Sequence, residues 1–360
     1  MRILVCGWVG STNLGDELVL AGLLELLRTR RHRAAAVSID PVATRRTHGV
    51  PAIDHRRVDL VAAAARSADL VVWGGGGLVQ DETSALNLPY HLSRAWMALL
   101  AGTPWVALGI GAGPLAGALG RRLARTLTTA QAVTVRDEPS QKLLADLGVA
   151  SRLTADLAHH LDVPAEPTAE PPIVTVSLRP WDTSNRGRLP VAWRAASSGS
   201  PDWFVPNLAA ALDRTAAATG FGIRFVALQS DRDHLLHQQV ATAMRTPSTA
   251  ITPDHRTVIR EIGRGRVVVA MRYHAGVAAT LTGRPAVLIG YSPKVDALAT
   301  TLTGGSEHVG FDALADDPID VRIGRLIDRG AAATDAIDAA ARALRERAGG
   351  NVEVLASQER

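Results

Sequence analysis

Cysteine is nearly missing from this 360-residue chain, which carries a single thiol at Cys6. That excludes an internal disulfide framework and a cysteine-rich zinc site. Cys6 follows the apolar residues Ile3, Leu4 and Val5, so a buried, inert thiol is expected. Lysine is almost as scarce: Lys142 and Lys294 stand alone beside a basic set otherwise made of arginine. The net charge of +4 and the isoelectric point near 9.8 reflect that arginine bias more than a binding surface. Aromatic residues make up 4 % of the chain. None is interleaved with the basic cluster Arg28, Arg30, Arg31, His32 and Arg33, as a single-strand binder would require. The cluster is read as the solvated end of a helix, and no nucleic-acid partner is expected. Long apolar runs are missing too. The N-terminal run covers only residues 3–9, short of a signal segment and far short of the ~18 residues that span a bilayer. A cytoplasmic protein is expected, with a peripheral contact at the inner face of the membrane left open.

What is present is a chain that is 47 % hydrophobic, long enough for two domains of roughly 150–200 residues. Its first half repeats one pattern: a short apolar strand, a Gly- or Asp-bearing loop, then an amphipathic helix. Strands are predicted at residues 2–8, 34–39, 69–73, 104–108 and 132–135, and helices at 17–30, 58–66, 115–129 and 139–147. Strands apolar on both faces imply a parallel sheet covered on both sides. Residues 163–172, rich in Pro and Glu, read as a linker. The alternation then restarts and runs to residue 290, followed by an alanine-rich helical tail. The expected fold is α/β: an N-terminal Rossmann-like domain at 1–162 and a second, with the tail, at 173–360. Open sheets of this kind bind ligands beyond the carboxyl ends of their strands, which places a cleft between the two.

Seven short motifs fall at predicted strand ends. Gly10–Glu17 (GSTNLGDE) joins the first strand to the first helix; its amides suit an anion, and Asn13 is a candidate binding residue. Asp16 either caps the helix or orients a substrate hydroxyl. The run GGGGLVQD includes Gly75 and Gly76, and four successive glycines point to close approach of a substrate rather than to packing. GIGAGP contributes Gly111. In VRDEPS, Arg136 suits an anionic group or an ion pair with Asp137 or Asp156. The second half adds SLRPW with Arg179, MRYHA with Arg272 and His274, and YSPK with Lys294. A histidine among arginines and a lysine points to an anionic substrate. No metal is read from the pattern.

These motifs, in this order over about residues 1–300, resemble the polysaccharide pyruvyl transferase family, in particular its cell-wall (CsaB-type) members. The resemblance implies a GT-B-like arrangement of two doubly wound domains, with phosphoenolpyruvate as donor substrate and no further cofactor. The implied acceptor is a sugar, on a cell-surface glycan or its lipid-linked precursor. It matches Asp16, Arg136, His274 and Lys294 to active-site positions, and places Arg179 and Arg272 in matching motifs. His274 would shuttle protons and Asp16 orient the acceptor hydroxyl. The segment 182–200, rich in Gly, Ser and Arg, is read as an acceptor-recognition loop. The alternative is a GT-B glycosyltransferase using a nucleotide sugar, which should show a ribose-binding carboxylate in the second domain; Asp296 is the candidate. Homo-oligomerisation stays open.

Overall fold

A computed structural model describes residues 1–82, 84–164, 168–181 and 200–359. Residues 182–199, and with them nearly all of the expected acceptor loop, lie outside the described residues.

The first half runs β1 (Arg2–Cys6), α1 (Leu14–Thr29), β2 (Arg33–Ser38), α2 (Pro41–His48), β3 (Ala52–Asp54), α3 (Val58–Ser67) and β4 (Leu70–Gly74). It continues with α4 (Asn87–Ala101), β5 (Trp105–Ile110), α5 (Ala118–Ala124), β6 (Ala132–Val135), α6 (Glu138–Asp146) and β7 (Arg152–Leu153). The second half holds β8 (Ile173–Ser177), α7 (Phe204–Thr219), β9 (Gly222–Val226), α8 (Ser230–Ala243), β10 (Ser248–Ile251), α9 (Val258–Gly263) and β11 (Val267–Ala270). Then follow α10 (Tyr273–Leu281), β12 (Ala286–Gly290), α11 (Pro293–Thr301), β13 (Ser306–Gly310), α12 (Ile319–Arg329) and α13 (Ala331–Ser357).

Every strand pairing within the two sheets is parallel. The sheet orders are β3-β2-β1-β4-β5-β6-β7 and β10-β9-β8-β11-β12-β13. Both reverse direction at an internal switch, β1/β4 and β8/β11, where doubly wound sheets open a crevice. β4, β5, β8 and β11 are buried along their whole length, because helices cover both faces. Cys6 lies in the first core, and burial pushes its thiol up to about 12.

The sequence missed α2, α4, α11 and the edge strands β3, β7, β10 and β13. In α4 the cause is its buried face, which carries Asn87, His91 and Arg94 among the apolar residues and blurs the 3.6-residue pattern. The edge strands are short and partly exposed, so their apolar signal is weak.

The tail helix α13 crosses back. Its Asn351, fully buried, sits among Thr134, Thr154 and the carbonyl of Ala155 at 2.5–3.3 Å, and Leu355 joins the apolar cluster of Ile3, Val5 and Leu23 in the first half. The basic cluster after α1 is only partly solvated. Arg30 and His32 hold Glu359 beyond the end of α13, at 2.5 and 2.9 Å.

Candidate active site

The loop after β1 is shaped by Gly10, whose φ of +73° and close approach to Ser38 leave no room for a side chain. Asn13 then caps α1, its Oδ1 accepting the Gly15 N–H at 3.2 Å. Asp16 is therefore not the cap. It sits in the first turn and accepts from Asn13 Nδ2 at 2.5 Å. The Leu14 N–H donates to the Leu228 carbonyl at 2.8 Å, tying this helix start to the second sheet. Gly15 meets the other half of the molecule as well: a Cβ there would lie 2.2 Å from His274 Nδ1. That glycine lets the His274 ring rest on the start of α1.

His274 is the second residue of α10, just past the carboxyl end of β11, and is buried. Its Nε2 faces Asp156 at 3.6 Å and has no hydrogen-bond partner among the described residues. Asp156 lies beyond β7, where it accepts the Ala158 N–H at 3.0 Å and Arg136 Nη1 at 2.9 Å. Arg136 follows β6, stacks 4.1 Å over the Tyr273 ring and also approaches Asp137 at 3.5 Å. The ion-pair reading of Arg136 thus holds, and the same side chain lines the cleft. Burial opposes the charge of Asp156, but His274 and Arg136 outweigh it and hold the carboxyl below its usual range. For Asp16 burial wins and raises the carboxyl, although His274 and Lys294 favour its charged form.

The cleft itself is a cavity of about 250 Å³ between the two halves. One wall is the backbone of Gly77, Gly111 and Gly113 with Arg136; the other is Arg179, Trp181, Tyr291 and Lys294. Arg179 Nη1 donates to the Tyr291 hydroxyl at 2.9 Å, and Lys294 Nζ stands 5.5 Å from the Tyr291 ring centre. Among the described residues neither cation has a carboxylate within ion-pair distance.

Other expected site residues lie elsewhere. Arg272 is buried against Asp233, with Nε at 3.0 Å from the carboxylate, and like His274 and Asp16 it lies outside the cavity lining. Gly75 has a packing role that the sequence reading denied to the glycine run: with φ +65°, its Cβ would fall 1.8 Å from Val19 Cγ1. A Cβ on Gly76 would lie 3.4 Å from Asp16 Oδ1, and one on Gly111 2.9 Å from the Arg136 guanidinium. Asp296 pairs with His308 at a half-exposed edge and is absent from the cleft wall. A His-x-x-His spacing that the sequence reading passed over, His234 and His237, lies on α8; His237 Nε2 accepts the Leu178 N–H at 3.1 Å. Tyr273, Tyr291 and Trp181 stood inside quoted motifs without a role. Asp156 was named only as an ion-pair partner, because its closeness to His274 exists only once the domains meet.

A family model described as polysaccharide pyruvyl transferase matches residues 13–293. No curated protein matches the chain. Among solved structures, Anabaena Alr3699/HepE in complex with UDP and glucose superposes with a TM-score of 0.65 at 15 % identity, covering 99 % of this chain and 98 % of that one. UDP-GlcNAc 2-epimerase from Neisseria meningitidis bound to UDP-GlcNAc gives 0.61 at 11 %, covering 99 % and 100 %. At such identities these likenesses establish the fold alone, a GT-B-like pair of Rossmann-like domains.

Proposed function

The chain belongs to the polysaccharide pyruvyl transferase family, and from that premise we propose that it transfers the pyruvyl group of phosphoenolpyruvate to a sugar as a cyclic ketal, with release of phosphate. The observation that carries the donor assignment is the cationic wall of Arg179 and Lys294, neither ion-paired among the described residues, facing glycine backbone across a cavity sized for a small molecule. A donor bearing both phosphate and carboxylate suits that wall, with Arg136 opposite, through charge-assisted hydrogen bonds. His274 is the proton donor to the donor's methylene carbon. Among the described residues its buried Nε2 has no hydrogen-bond partner, and it lies 3.6 Å from the Asp156 carboxylate. Protonation makes the adjacent carbon electrophilic; one acceptor hydroxyl attacks it, phosphate leaves and a second hydroxyl closes the ketal. Asp16, next to His274, orients an acceptor hydroxyl. The acceptor is a sugar of a cell-surface glycan or its lipid-linked precursor, met at the cytoplasmic side. Among the described residues no helix is long and apolar enough to cross a membrane.

Calorimetric titration of phosphoenolpyruvate against UDP and GDP tests the donor. Binding of phosphoenolpyruvate alone is expected, and preference for a nucleotide overturns the reading. With sugar and glycolipid acceptors, mass spectrometry should then find the ketal and free phosphate. His274→Ala is expected to lower turnover by roughly 10²-fold or more with donor binding kept. Near-normal turnover in that variant would remove His274 from the mechanism.

A further inference from the structure

Tyr291 has no task in the scheme above, yet it occupies the centre of the cationic wall. It is the first residue past the carboxyl end of β12, and Pro293 begins α11 two residues later. Its hydroxyl oxygen accepts from Arg179 Nη1 at 2.9 Å. The Arg179 guanidinium lies 4.7 Å from its ring centre and Lys294 Nζ 5.5 Å. Trp181 packs on the ring at 4.7 Å between centroids, tilted 54°. Since Arg179 can only donate, the oxygen is held as an acceptor beside two cations, on the wall assigned to the anionic donor. The lining holds two carboxylates besides. Asp137 is engaged by Arg136 and by the Ser140 N–H at 2.9 Å, and Ser140 receives the Ala112 N–H. Glu82 is a second carboxylate in the lining.

We propose that Tyr291 is a catalytic residue of this cleft, taking the proton of the attacking acceptor hydroxyl and passing it to the departing phosphate. The proposal rests on the pyruvyl-transfer reading. The acceptor O–H bond breaks as its oxygen bonds the donor's central carbon, and the proton moves to the Tyr291 oxygen. When the carbon–oxygen bond to phosphate breaks, the leaving oxygen takes that proton, so the tyrosine ends as it began. The methyl proton comes from His274, which regains one from the second hydroxyl. One proton thus ends on carbon and one on phosphate, which balances the two hydroxyls consumed.

The electrostatics support a phenolate at this position. Burial pushes the Tyr291 phenol up, but Arg179, Lys294 and Arg272 outweigh it and bring it down to about 7. Arg232, on α8, adds positive charge behind Arg179 and Arg272, and Asp233 offsets Arg272. The other two tyrosines, Tyr90 and Tyr273, are both pushed up by burial. A phenolate signal near neutral pH therefore belongs to Tyr291.

The test is a difference-absorbance titration of wild type against Tyr291→Phe, with and without phosphoenolpyruvate, paired with pH–rate profiles for phosphate release with the sugar acceptor. The expected phenolate midpoint is about 7, moving upward when the trianionic donor binds. Tyr291→Phe should lower kcat by roughly 10²-fold, leave donor affinity within about threefold and lose the acid limb of the profile. Incorporation of a fluorotyrosine at the same position should keep activity and move that limb to lower pH, a response that a merely structural tyrosine would not give. A phenol that titrates only in the ordinary range near ~10 overturns the proposal. So does a Tyr291→Phe variant with normal kcat, or loss of the limb in Glu82→Gln instead. Failure of the wild type to bind phosphoenolpyruvate removes the donor reading and this proposal together; binding with an ordinary phenol sinks Tyr291 alone.

Discussion

Replacing Asp233 by alanine should be among the most damaging single changes in the second domain. The Asp233 carboxylate is fully buried and accepts from Arg272 Nε at 3.0 Å and from the Leu228 and Gln229 amides at 3.2 and 2.9 Å. Removing it strands a buried guanidinium, which costs about 3–5 kcal/mol. The two lost amide acceptors add about 1 kcal/mol each. The sum is about 5–7 kcal/mol, comparable to the whole stability of many domains. Urea unfolding followed by tryptophan fluorescence measures it, because Trp203 packs in this core. Adding Arg272→Met to the variant should restore about 3 kcal/mol, since an apolar pair tolerates burial that a lone charge does not. A loss under 1 kcal/mol for the single variant, or no recovery in the double, would refute the view that Arg272 is held for structure. It would return Arg272 to the substrate-binding candidates.

Two glycines expected to serve the substrate should separate. Gly75→Ala combines a left-handed backbone with a clash against Val19 and should destabilise by about 2–4 kcal/mol in the same urea assay. Gly111→Ala should keep the fold but push Arg136 aside, weakening phosphoenolpyruvate binding roughly tenfold in calorimetry, since one lost charge-assisted contact is worth about 1.4 kcal/mol or more. Asp16 should show a pH signature. Its carboxyl is raised in the fold, chiefly by burial, so the native state holds a proton that the unfolded chain releases. Its contribution is fully present below the ordinary carboxylate pKa and is lost as pH rises through the higher folded value. Asp16→Asn should flatten that part of the stability–pH curve, measured by denaturation at several pH values. An unchanged curve would refute the assignment.

Much of the fold was legible because parallel, fully buried strands leave continuous apolar runs that no helix pattern imitates. β6 was bounded correctly from residues 132–135 alone, and the alternation was read to stop at residue 290, where β12 ends. The elements missed had polar or exposed faces, as in α4 with its buried Asn87, His91 and Arg94. At the site, the motifs carrying Arg136, Arg179, His274 and Lys294 were readable, since strand ends in such sheets face a crevice. Which partner each side chain meets was not readable.

The sequence by itself determined the family, the two parallel sheets and the set of cationic residues at their carboxyl ends, because these depend on local pattern and motif order. Only the tertiary structure decided how those cations divide. Arg272 is consumed by Asp233 and Arg136 is shared with Asp156, while Arg179 and Lys294 remain on the cleft wall around Tyr291. The physical reason is that a buried charge is defined by its neighbours, and here the decisive neighbours come from distant strands and from opposite halves of the chain. Gly15 illustrates the division. Its motif marked a turn, and only the docking of the two sheets showed that its missing side chain makes the place where His274 rests.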